Sequence, residues 1–422
     1  MELKKGPSSF DQEVLCKGLE VIMGALIKKV IITVVLVVLT GWLLNYSWSL
    51  RQIRYKNYTF SPEEAKRLQY FPRAQYAHGY QAWIENNTQA ASYFKQAIAH
   101  DVFYIDAWLK LAQTDLAEGD KDHARAIVKH IDQLTGEVLQ WKWPQTLLAL
   151  ELGMDELFVK NINYLVQHQH MRQNALYLMD RYYNSTVRAV IRSLHPDNLT
   201  AYLEWLIRWN RLDDTLVVWE EITRTGMPGH ESILRYVNFL ISKNAIPKAR
   251  DIWHAHTDIM GMTNPGFETE MTGQGFDWRH TPAGINFEIH RVRSANHSGL
   301  YAVQISFSGR ENTQFHHLFQ VVPVTPLHTY RLTYAWRSRE ITTDQGPFIE
   351  IYGYGGKGLY EKGPMMIGTH EWNSTSIAFT PPEWCHAIVV RCRRNPGRRF
   401  DRNIAGTLWL DDFRLEEDTK EP

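Results

Sequence analysis

The chain has 422 residues, 44% of them hydrophobic, which is enough for two domains with buried cores beyond any anchoring segment. Its 46 lysines and arginines balance 46 aspartates and glutamates, so no global field favours nucleic acid or an acidic partner. Three cysteines are too few for a disulfide scaffold.

The first predicted element is the run from Val30 to Leu50, VIITVVLVVLTGWLLNYSWSL, 21 residues without a charge. At ~1.5 Å per helical residue it spans about 30 Å, the thickness of a bilayer's hydrocarbon core. A cleavable signal peptide needs small residues just after its apolar core, and here Leu44, Asn45, Tyr46 and Trp48 stand instead. An uncleaved single-pass anchor at 30–50 is therefore expected. Lys4, Lys5, Lys17, Lys28 and Lys29 precede the run, against Arg51, Arg54 and Lys56 after it. The positive-inside bias predicts a cytoplasmic N-terminus, with about 370 residues outside the inner membrane of a bacterium. Within the cytoplasmic segment 1–29, Val14, Leu15, Leu19, Ile22, Leu26 and Ile27 recur at helical spacing. They form either an amphipathic helix on the inner interface or a continuation of the span.

Helical periodicity dominates from 55 to 260. The stretch from Ala107 to Ile131 has two helical halves broken at Gly119 and Asp120, with small residues Ala112 and Ala124 where helices must approach closely. Trp108, Leu111, Ala112, Gly119, Ala124 and Ile131 resemble the large-small-large packing pattern of tetratricopeptide repeats. Counting 34 residues back from Ala124 and Val128 reaches Ala90 and Phe94, with Ala97 marking the same face, and the same spacing links Trp219 to Trp253. Aliphatic first helices at Leu203–Ile207 and Val237–Ile241 precede the two tryptophans, whereas Trp143–Leu194 is helical with degenerate repeats. The resemblance implies an α-solenoid of helical hairpins whose concave groove takes a protein partner. The pairs His168 with His170 and His254 with His256 are spaced by two, which places each pair on different helix faces. They are expected to be surface residues rather than metal ligands.

After Gly261 the periodicity becomes alternating. Tyr301, Val303, Ile305 and Phe307 mark one strand, and Tyr330, Leu332, Tyr334 and Trp336 another. Further strands are expected at 315–322, 347–354, 374–380, 386–392 and 406–415, which together predict an antiparallel β-sandwich over 262–417 with a short tail at 418–422. Cys385 and Cys392 would lie ~23 Å apart on one extended strand, so both are expected to be free.

NPGFE at Asn264–Glu268, GFDW at Gly275–Trp278, the segment beginning His297-Ser-Gly-Leu-Tyr-Ala, and GTLWLDDFRL at Gly406–Leu415 resemble the jelly-roll carbohydrate-binding modules of the galactose-binding-like superfamily. The resemblance covers the whole terminal domain. In those modules a structural calcium often ties the first strand to the last, which the resemblance places on Glu268 and Asp411. The two-residue period puts Asp411 on one face with Trp409, Phe413 and Leu415, although Leu408 and Leu410 on the other face are equally apolar. A desolvated carboxylate there needs calcium, backbone N–H donors or an arginine.

Sugar binding needs flat aromatic faces beside polar groups. Alternation turns Ile349 and Ile351 inward and Glu350, Tyr352 and Tyr354 outward, with Trp372 and Arg391 as further candidates. The segment Arg391–Arg402 packs six arginines around an Asn-Pro-Gly turn; it either recognises uronate or phosphate groups or forms a solvated hairpin tip.

No P-loop, GxSxG elbow, HExxH pair or dinucleotide glycine fingerprint appears, and no required cofactor is indicated. The expected function is that of a non-catalytic, membrane-anchored envelope scaffold. It would bind a protein partner through the helical groove and a polysaccharide through the sandwich, in polysaccharide assembly or export. A pure assembly adaptor with a structural sandwich is the alternative, followed by an envelope glycoside hydrolase or lyase.

Overall fold

The computed structural model describes residues 9–55, 68, 70–226, 228–400 and 402–418. Lys4, Lys5, Lys56, the 419–422 tail and the side chains of Val14, Leu15, Cys16, Lys17, Leu19, Ile22 and Arg54 lie outside this description. The chain divides into two compact units, residues 1–175 and 176–422.

The first unit begins with α1, Ser9–Tyr55, one continuous helix of 47 residues. Its segment Leu26–Trp48 is long and apolar enough to cross a membrane, at mean hydropathy 2.2, and none of the tested window is buried by protein. The two threonines in this stretch return their hydroxyls to the helix, Thr33 to the Lys29 carbonyl at 2.8 Å and Thr40 to the Leu36 carbonyl at 2.7 Å. Neither leaves a polar group for lipid to desolvate. Helices α2 (Pro72–Ile84) with α3 (Ala90–His100), α4 (Ile105–Glu118) with α5 (Lys121–Thr135), and α6 (Leu139–Glu151) with α7 (Asp155–Gln167) follow as hairpins. The break expected at Gly119 and Asp120 is built from two local devices. Gly119 takes a left-handed φ of 90°, which a side chain disfavours, and the Asp120 carboxylate caps α5 by accepting from His123 N at 3.1 Å. Ala90, Phe94, Ala112, Ala124 and Ile131 are buried together in one core, and Ala97 is buried as well.

Helix α8 (Gln169–Tyr182) carries the chain into the second unit, which holds α9 (Val187–Ser193), α10 (Leu199–Arg208), α11 (Leu212–Thr225), α12 (His230–Ser242) and α13 (Ile246–Thr257). Ten strands then form two five-stranded antiparallel sheets. One sheet has the order β1 (Arg279–His280), β4 (Phe315–Pro323), β9 (Ala387–Arg394), β6 (Phe348–Gly353), β7 (Tyr360–Lys362). The other has the order β2 (Phe287–Val292), β3 (Ala302–Ser308), β10 (Ala405–Glu417), β5 (Tyr330–Ile341), β8 (Gly368–Phe379). The inner faces meet in one core that includes Val303, Ile305, Phe307, Leu332, Tyr334, Trp336, Ile349, Ile351 and Val390. This is the expected jelly-roll sandwich. Cys385 and Cys392 are free and buried.

The ambiguity over the last strand has a physical answer. The β5–β10 register shifts between Asp411 and Arg414, and Asp412 adopts φ 49°. That bulge switches the inward set, so Leu408 and Leu410 enter the core before it and Phe413 after it. Trp409 therefore faces outward, donating to Gln304 Oε1 at 2.9 Å beneath the Arg337 and Arg339 guanidiniums.

The sandwich is joined to the last helical hairpin within the second unit. Trp253 of α13 lies flat against Gly275, where a Cβ would stand 2.1 Å from the indole, and Gly275 has φ +55°. Asn238 of α12 accepts from Gly275 N at 2.8 Å, and the Tyr354 hydroxyl donates to the Ile241 carbonyl at 3.0 Å. The sandwich and the hairpin α12–α13 thus share buried packing and hydrogen bonds.

Candidate functional site

Residues directly opposed in an antiparallel sheet point to the same face. On the outer face of the first sheet, the pairing places Arg279 opposite Phe319, Phe319 opposite Arg391, Arg391 opposite Glu350, and Glu350 opposite Lys362. One row therefore crosses all five strands, about 19 Å at ~4.8 Å per strand. A second row beside it runs Val321, Val389, Tyr352, Tyr360.

The centre of the face is a charged cluster. Glu350 is fully buried. Its Oε1 accepts from Arg391 Nε at 2.6 Å and Nη2 at 2.5 Å, and lies 3.6 Å from Arg393 Nη1. Its Oε2 accepts from the Tyr360 hydroxyl at 3.2 Å. The Arg391 guanidinium stands 4.7 Å from the Tyr352 ring centre, a cation–π distance. Burial and the neighbouring Glu350 charge raise the Tyr360 phenol above its ordinary pKa. Desolvation raises that of Tyr352, against an opposing pull from Arg391. Both hydroxyls stay protonated as hydrogen-bond donors across the physiological range.

Of the residues singled out from sequence, the structure brings together Glu350, Tyr352 and Arg391. Glu350 lies on the outer side as alternation predicts, but it is covered by its arginines rather than open to solvent. Tyr354 is half-buried, with its hydroxyl engaged with α12. Trp372 belongs to β8 in the other sheet, where it meets the His297 ring edge at 5.5 Å. Tyr360, Lys362, Phe319 and Arg279 were missed by sequence reasoning, whereas Arg393 lies in the arginine segment it singled out. The glycine-rich hairpin between Tyr352 and Tyr360 was the available signal for the tyrosine pair.

The arginine segment divides by role. Arg391 and Arg393 serve Glu350. Arg394 is fully buried and donates to the carbonyls of Thr313, Gln345 and Arg402 and to the Asn312 and Thr343 side chains. Arg398, Arg399 and Arg402 are exposed around Phe400. Among the histidine pairs, His254 and His256 lie in the last turn of α13, and the His256 ring nitrogen is 2.6 Å from His230 of α12.

Glu268 and Asp411 meet beside Gly266, where a Cβ would stand 3.6 Å from Asp411 Oδ1 and 4.0 Å from Glu268 Oε1. Asp411 is buried and takes three backbone N–H donors, His297 at 2.8 Å, Ser298 at 3.2 Å and Asp412 at 2.7 Å. Glu268 Oε1 accepts from Leu300 and Tyr301 N. Desolvation holds the Asp411 carboxyl above its ordinary pKa despite these donors. Backbone N–H donors thus serve both carboxylates, one of the alternatives that the sequence left open for Asp411. Among the described residues no group of three or more His, Cys, Asp or Glu side chains is arranged to hold a metal.

No known family model matches the chain, and no curated protein matches it. Solved structures similar to it include TmCBM61 in complex with β-1,4-galactotriose, 22% identical over 37% of this chain and 97% of that one, at TM-score 0.28. A family 16 carbohydrate-binding module is 17% identical over 37% and 99%, at TM-score 0.27. A cyclase from Fischerella sp. TAU, in complex with 4-(1H-indol-3-yl)butan-2-one, is 14% identical over 39% and 100%, at TM-score 0.28. At these values the likenesses assign neither a ligand nor an activity to this chain.

Proposed function

We propose that this protein is a membrane-anchored, non-catalytic glycan-binding scaffold that uses the outer face of the β1-β4-β9-β6-β7 sheet to hold an envelope polysaccharide. The observation that carries this is the Glu350–Arg391–Tyr352–Tyr360 cluster. A buried ion pair on a sheet face is a poor source of stability, because desolvation offsets its Coulomb gain. Its use is to hold Tyr352 and the arginine donors in fixed positions, the arrangement a sugar ring needs for stacking and hydrogen bonding. The apolar run of α1 anchors the chain in a bacterial inner membrane with the residues after it in the periplasm, consistent with the lysines that precede that run.

The test is a glycan-array screen of full-length protein in detergent. Binding to a defined polymer should weaken at least tenfold in Tyr352→Ala. Silence across envelope glycans, with capture of a protein partner intact, would instead favour the pure adaptor. A specific feature supports that second function: an apolar cavity of about 230 Å³ lined by Leu216, Trp219, Ile233, Ile252 and Ala255 on α11–α13.

Calcium is proposed as a structural ion held by Glu268 and Asp411, where it would compensate the desolvated Asp411 charge. Chelation should then lower the melting temperature of wild type but not of Asp411→Asn. An equal response in both would remove calcium from the account.

A further inference from the structure

The five-strand row ends at a cation without a direct ion pair. Arg391 and Glu350 compensate each other at its centre, whereas Arg279 makes no salt bridge among the described residues. Its Nη2 donates to the Gly275 carbonyl at 2.7 Å and to Asn238 Oδ1 at 3.3 Å. Its Nη1 is buried and has no hydrogen-bond partner. The nearby Asp277 carboxylate is occupied, accepting from Thr272 N and Oγ1 at 2.8 Å and from Trp278 N at 2.7 Å. Desolvation pushes the Arg279 guanidinium below its ordinary pKa, against an opposing pull from Tyr354 and Asp277.

Arg279 lines a pocket of about 440 Å³ at the junction of α12 with the sheet, together with Asn238, Ser242, Gln274, Phe319 and Tyr354. The walls are held in place. Asn238 Oδ1 is bonded to Gly275 N, its amide to Gln274, and the Tyr354 hydroxyl to Ile241. Phe319 is both a pocket wall and the second member of the row, so the pocket is continuous with the face assigned to the glycan. A guanidinium edge is shaped for a planar carboxylate.

We infer that this pocket receives the carboxylate of an acidic sugar residue, with the Arg279 guanidinium as its counter-charge, while neighbouring sugars of the same chain lie over Phe319, Arg391 and Tyr352. This rests on the glycan reading of the sheet face. It adds that the polymer is acidic and that a uronate sits at the end closed by α12. The structural source of specificity is the charge: a methyl ester or a neutral sugar of the same shape would offer Arg279 no counter-charge.

The test compares oligogalacturonate and oligoalginate with their methyl esters, using full-length protein in detergent and titration calorimetry. At least one acid should bind ten times or more tighter than its ester. Arg279→Gln should abolish that preference, bringing acid and ester to within about twofold of each other. Because Arg279 also holds Gly275 and Asn238, near-ultraviolet circular dichroism is recorded on the variant. The wild-type comparison of acid with ester decides the matter even if the variant misfolds. Esters binding as tightly as acids, or a preference that survives in folded Arg279→Gln, would overturn the inference and leave glycan binding standing. Failure of all four probes also overturns it. The glycan reading falls with it only if the glycan array is silent as well.

Discussion

Glu350→Ala should lower the unfolding free energy of the second unit by about 3–5 kcal/mol, the range for removing one partner of a buried ion pair. The carboxylate is fully buried and serves Arg391, Arg393 and Tyr360. Alanine would leave two guanidiniums and a phenol facing a gap between strands. The low end of the range is favoured, because the arginine side chains keep 19% and 30% exposure and can turn to water. For a unit of this size the loss corresponds to a melting-temperature drop of about 10 °C, read by thermal melting in detergent. A drop under about 2 °C would contradict it. The double variant Glu350→Met with Arg391→Met should recover most of the stability, since apolar replacement removes the desolvation cost along with the pair. It should not recover glycan binding. That split separates the cluster's role in recognition from its role in folding.

Arg394→Ala should be comparably damaging for a different reason. This side chain is fully buried and ties three connections at one end of the sandwich through Thr313, through Thr343 and Gln345, and through Arg402. Removing it strands several acceptors and opens a cavity, each costing on the order of 1–3 kcal/mol. Lysine should rescue little, because one ammonium cannot reproduce the planar fork of five donors. Limited proteolysis should show cleavage near Arg398 and Arg399 accelerating at least tenfold in Arg394→Ala. Unchanged cleavage and melting would return Arg394 to the set of free surface cations.

Local chemistry explains which parts of this architecture were legible. The anchor, the Gly119–Asp120 break, the Ala90–Phe94–Ala97 face and the long strands all depend on residues close in sequence, so periodicity reveals them. The short strands β1 and β7 have two and three residues, too few for alternation to register. The inward set of β10 depends on the bulge at Asp412, where the two-residue period breaks. Glu350, Tyr352 and Arg391 were visible as residue types on strands. What was hidden is the long-range register that adds Arg279, Phe319, Lys362 and Tyr360 to them. Tyr354 shows the same limit, since nothing in its own strand announces that α12 takes its hydroxyl.

Hydrogen exchange of full-length protein, with and without the glycan selected on the array, tests the central claim most directly. Binding on the proposed face predicts new protection confined to that sheet and the helix turn beside it, in 238–242, 274–280, 317–321, 348–354, 360–362 and 389–393. Protection around Trp409 and Trp372 on the opposite sheet, or along α11, would contradict it.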